Sequence, residues 1–122
     1  MNLKEYINEA NGELNHKIHE MCLQLTNNRE YWQTAMTMKE KLADFIKNHP
    51  SANFAYIHSK YYSELLDLVK SMQKIVGRMN DKDINTATYY LLQQLLILVD
   101  DEYNISPKGW NSNLYSMNEL TW

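Results

Sequence analysis

Thr88-Tyr89-Tyr90-Leu91-Leu92-Gln93-Gln94-Leu95-Leu96-Ile97-Leu98-Val99 is the stretch that decides the fold. Nine of its twelve residues are large and apolar or aromatic, and none is charged. At about 100° per residue for a helix, Ile84, Thr88, Leu91, Leu95 and Leu98 form one stripe. Tyr89, Leu92, Leu96, Val99 and Tyr103 form a second stripe directly beside it. A surface helix carries only one such stripe. This one must be touched on several sides, which predicts the central helix of a bundle. Its length and its scarcity of β-branched residues separate it from a buried strand.

The rest of the chain supplies helices to surround it. Leu3, Ile7, Ala10, Leu14, Ile18, Met21 and Leu25 predict a first helix over about 2–25, with Gly12 as a local weakness. Asn27, three residues before Glu30, reads as the cap of a second helix carrying Tyr31, Ala35, Met38, Leu42 and Phe45. Asn48-His49-Pro50 ends it. Ser51 then caps a third helix, expected to be the longest, in which Phe54, His58, Tyr61, Leu65, Leu68, Met72, Ile75 and Met79 keep an alternating four-three repeat. Tyr62, Leu66, Val69 and Val76 widen that face. Asn80 or Asp81 caps the central helix, and Ser106-Pro107-Lys108-Gly109 ends helical structure. Trp110, Leu114, Tyr115, Met117, Leu120 and Trp122 make the last stretch too apolar for a solvated tail. The expected fold is all-α: a four-helix bundle with a short C-terminal helical or extended segment, residues 1–122 forming a single domain.

Composition narrows the function classes. Three glycines and two prolines in 122 residues argue against an all-β domain. A formal charge of −3 is neither the basic excess of a nucleic-acid binder nor the dense acidity of a DNA mimic. The single cysteine, Cys22, cannot form an internal disulfide, which favours a reducing compartment. Lys4, Glu5 and Glu9 interrupt any signal-peptide core, and Leu95–Val99 is too short an apolar run to span a membrane. A cytoplasmic location without a membrane association is the expectation. Frequent asparagine and tyrosine beside scarce alanine and glycine suggest an AT-rich coding sequence, as in many phages and low-GC bacteria.

Four groups of residues invite a chemical reading. Glu13, His16, His19 and Cys22 have helical spacing and metal-competent side chains, but the histidines fall opposite the Leu14, Ile18 and Met21 stripe and should face solvent. A di-iron bundle also needs a second such motif, which the chain lacks. His58 lies on an apolar stripe and reads as a part-buried imidazole bonded to Tyr61, Tyr62 or another helix. Glu64-x-x-Asp67 resembles the downstream carboxylate pair of all-α magnesium-dependent nucleotide pyrophosphohydrolases. The upstream pair departs from that pattern, since Glu40 and Asp44 are four apart instead of three. Magnesium chemistry needs several converging oxygens. Lys60, Lys74, Arg78 and Lys82 share an outer face that could meet nucleic acid, interrupted by Asp67.

Nine tyrosines, three tryptophans and seven methionines exceed what one small core needs, and such residues anchor protein interfaces. Leu23, Trp110, Tyr115 and Trp122 are least accounted for by the stripes and form the expected protein-binding surface. The expected function is therefore non-enzymatic protein binding, as an inhibitor, immunity-type protein, adaptor or assembly chaperone. The partner is another protein or a second copy joined through the long third helix or the tail. No cofactor or metal is expected. The alternatives are the magnesium-dependent nucleotide hydrolase, using Glu64 and Asp67 with Glu40 or Asp44, and a nucleic-acid-associated helical protein.

Overall fold

A computed structural model describes residues 3–110 of the chain, with side chains described from residue 12 onward. It is all-α, with five helices among the described residues: α1 (Leu3–Asn27), α2 (Arg29–Asn48), α3 (Phe54–Lys60), α4 (Tyr62–Val76) and α5 (Asp81–Tyr103). The Thr88–Val99 stretch lies in the middle of α5, and α5 packs against all four of the others. Leu91, Leu92, Leu95 and Leu96 are fully buried there, as two adjacent stripes require. The second stripe is shorter than expected, because Tyr89 at its start is exposed. Gln93 is also buried, and its Oε1 has no hydrogen-bond partner among the described residues.

Local chemistry sets most boundaries, with small corrections. Asn28, not Asn27, caps α2, its Oδ1 accepting from the Glu30 amide at 2.9 Å. The five stripe residues of α2 are all buried. Asn53, not Ser51, caps α3 by accepting from the Tyr56 amide, and Asn80 caps α5 by accepting from Asp83. Asn104, in the left-handed region at φ 54, closes α5.

The larger correction concerns the expected third helix, which is two helices broken at Tyr61 (φ −103, ψ 14). No proline or glycine marks the break. Tyr61 is buried at the break, with its ring edge-on to Phe45 at 5.9 Å. Val76 ends α4, so Met79 lies beyond the helix; it is buried, with its amide bound by Gln73 Oε1 at 2.9 Å. The longest helix is α1, and Gly12 does not interrupt it.

After α5 the chain is non-helical as far as Trp110. Lys108 donates its amide to the Ala52 carbonyl and bridges Asn53, tying this segment to the loop between α2 and α3. Pro107 and Trp110 are buried. No described helix is long and apolar enough to cross a membrane.

Candidate functional site

The residues selected from sequence as a binding surface separate in space. Leu23 is 38% exposed on α1, whereas Trp110 is only 6% exposed and belongs to the core. That overturns its expected surface role: the segment after α5 folds back onto the α2–α3 loop and carries the indole inward. Tyr115 and Trp122 lie outside the described residues. Sequence reasoning missed the apolar side chains that do reach the surface: Trp32 and Tyr89, each 47% exposed, with Tyr56 and Ile75. Trp32 follows a stripe residue by one position, which puts it about 100° off the buried face; that offset was a readable signal.

Trp32 and Ile75 sit at one end of the bundle. Lys74 of α4 reaches Glu30 of α2 at 2.5 Å, and Ile75 and Trp32 lie one and two residues from that pair. The Glu30 hydrogen bond, the first cause, raises the Lys74 ammonium pKa above its ordinary value. Leu23 is on the last turns of α1, a few residues before the Asn28 cap that begins α2. Leu23, Trp32 and Ile75 thus leave three apolar side chains on three helices in the same half of the molecule.

A groove of about 490 Å³ opens between α2 and α4. Tyr31, Met38 and Leu68 contribute its apolar lining, and Glu64 and Asp67 stand on the α4 wall. The α2 wall presents Thr34, Thr37 and Lys41 there, while Glu40 and Asp44 do not line it. Glu40 and Asp44 therefore do not share the groove with Glu64 and Asp67, although Asp44 and Glu64 both face the Tyr61 hydroxyl, whose pKa is raised by burial first and then by these two charges; the α2 wall of the groove carries Glu30 and Lys41. Among the described residues no group of three or more His, Cys, Asp or Glu is placed to hold a metal ion. His16 is exposed as expected; His19 is half-buried with its Nδ1 enclosed, a departure from its expected solvated face. Cys22 is buried, its Sγ 3.9 Å from the Tyr90 carbonyl, and burial pushes its thiol up to about 12.

The lysine face does not form either. The break at Tyr61 separates Lys60 from α4, and Lys60 lies over the Phe45 and Tyr61 rings at 5.0 and 5.7 Å. Lys74 is already engaged with Glu30.

His58 has the most developed surroundings. It is 7% exposed, stacked on Tyr89 at 3.8 Å between centroids and 9° between planes, with Tyr62 at an edge. Its Nε2 is 2.9 Å from Thr88 Oγ1. The Thr88 hydroxyl also lies 2.7 Å from the Asn85 carbonyl oxygen, which can only accept. The hydroxyl's one proton goes to that carbonyl, so Nε2–H of His58 donates to Thr88 and Nδ1 is the nitrogen left to titrate. The expected tie to another helix is present, although through Thr88 instead of a tyrosine hydroxyl. Tyr62 donates instead to Asn85 Oδ1.

No family model, curated protein or solved structure matches the chain.

Proposed function

We propose that this chain is a cytoplasmic, non-enzymatic protein-binding protein, an inhibitor, immunity-type protein, adaptor or assembly chaperone of phage or mobile-element type. The observation that carries the reading is Trp32, nearly half exposed on a helix whose core-facing stripe is already filled by Tyr31, Ala35, Met38, Leu42 and Phe45. A large indole gains nothing from water and is a preferred anchor in the centre of protein interfaces. Leu23 and Ile75 are further exposed apolar side chains in the same half of the molecule. The partner is another protein, or a second copy of this chain meeting it through that end.

Capture of partners on immobilised protein tests this, comparing the unaltered chain with Trp32→Ala and Leu23→Ala. These changes suit the test because they touch exposed side chains, whereas removing the chain beyond Asn104 would take away buried Pro107 and Trp110. A stoichiometric protein kept by the unaltered chain and lost by both variants supports the reading. Equal retention by all three sinks this site, and an empty capture with a monomeric protein sinks the function.

A second reading has one observation in its favour: Glu64 and Asp67 do line the groove between α2 and α4. It requires magnesium-dependent nucleotide hydrolysis that Glu64→Gln and Asp67→Asn abolish. With Lys41 on the facing wall, no such turnover is expected.

A further inference from the structure

Helix α3 has seven residues, too few to hold together alone in water. Ile57 and His58 are its buried side chains, with Phe54 partly buried beside them, so one of the few groups anchoring it is ionisable. That group faces Tyr62 from α4 at 5.6 Å and Tyr89 and Thr88 from α5, with Phe54 of its own helix at 6.4 Å. Lys60 is the charged neighbour on α3, held over Phe45 and Tyr61. No carboxylate among the described residues lies within ion-pair distance of the His58 ring.

We propose that His58 is a proton-operated latch that holds α3 against α5 while neutral and releases it when charged. A proton on Nδ1 places an uncompensated cation in a buried aromatic setting. The Tyr89 face favours a cation, yet burial outweighs it, for desolvation lowers the imidazole pKa from its usual 6.5. Release takes Ile57 and Phe54 away from the bundle and uncovers the Thr88 side of α5. The acid form thereby gains an apolar surface around α3 and α5, separate from the Trp32 end. The rest of the bundle is spared because Leu91, Leu92, Leu95 and Leu96 are buried without any contribution from His58's hydrogen bond.

Amide hydrogen exchange on the full chain tests the latch, expressed as protection factors at pH about 7.5 and about 5, on either side of the imidazole range. Protection over 54–60 is expected to fall severalfold at the lower pH, while that over 91–96 holds. His58→Gln, which keeps an amide donor for Thr88 but does not titrate, should show no such fall. A triple variant, His16→Gln with His19→Gln and His49→Gln, should keep it. Unchanged protection of α3, a fall shared equally by α5, or a fall that survives in His58→Gln overturns the proposal. Should His58→Gln not fold, the unaltered protein still decides: the midpoint of the His58 imidazole nitrogen titration must coincide with that of α3 release. Separate midpoints overturn it.

Discussion

The Tyr31 hydroxyl donates to the Ser71 carbonyl oxygen at 3.0 Å, joining α2 to α4 across the end of the groove they line. Tyr31 is otherwise buried and lies under the Lys74 ammonium at 5.8 Å. Tyr31→Phe keeps the ring and removes only the hydroxyl. The expected loss is about 1 kcal/mol, the usual net worth of one such bond, read as a lower urea midpoint with unchanged slope.

Trp110 belongs to the core, so its truncation should damage folding before it damages binding. Trp110→Ala is expected to cost about 3–5 kcal/mol, whereas Trp32→Ala, at an exposed site, should cost within about 0.5 kcal/mol. Thermal or urea unfolding of the two variants checks the contrast. A reversal would show that the segment after α5 does not seat against the α2–α3 loop.

Gly77 ends α4 at φ 94 and ψ 166, a region that essentially only glycine occupies. A Cβ there would meet nothing closer than Lys17 Nζ at 3.9 Å, an ordinary contact. The cost of Gly77→Ala is therefore backbone strain, about 1–3 kcal/mol, without overpacking. Unfolding measurements should find that loss, and shortening Lys17 should not relieve it.

Cys22 should resist alkylation in the folded protein, because its thiol is buried between α1 and α5 and its pKa is raised by desolvation from 9.0 to about 12. Labelling rates under mild denaturant should track unfolding. The sign of the linkage follows from the raised value: the thiol remains neutral in the folded state where the unfolded chain already loses its proton. Stability should therefore be intact below pH 9.0 and fall as pH rises from there towards about 12. Cys22→Ala should flatten that alkaline loss.

Much of the fold was legible because burial follows helical periodicity. The stripe of α2 from Tyr31 to Phe45 and Leu91, Leu92, Leu95 and Leu96 of α5 went where spacing sent them, with Leu98 only partly buried. Caps were legible to within a residue or two, since asparagines cluster at each turn and only coordinates decide which one reaches the free amide. The expected site was far less legible. The wheel of one helix shows which residues leave its own buried face, but not which later segment covers them, and this is why Trp110 was misplaced while Trp32 went unnoticed.

The sequence by itself determined the all-α class, the central place of Thr88–Val99 and the faces turned to the core, because those depend on the period of apolar residues and on end-capping chemistry that acts within a few positions. Tertiary structure alone decided the break at Tyr61, the contact of His58 with Thr88 thirty residues away, and the groove that Glu64 and Asp67 line without Glu40 and Asp44. Each depends on how helices meet, and a heptad repeat that is unbroken in sequence does not record which rings, such as Phe45 against Tyr61, pack across it.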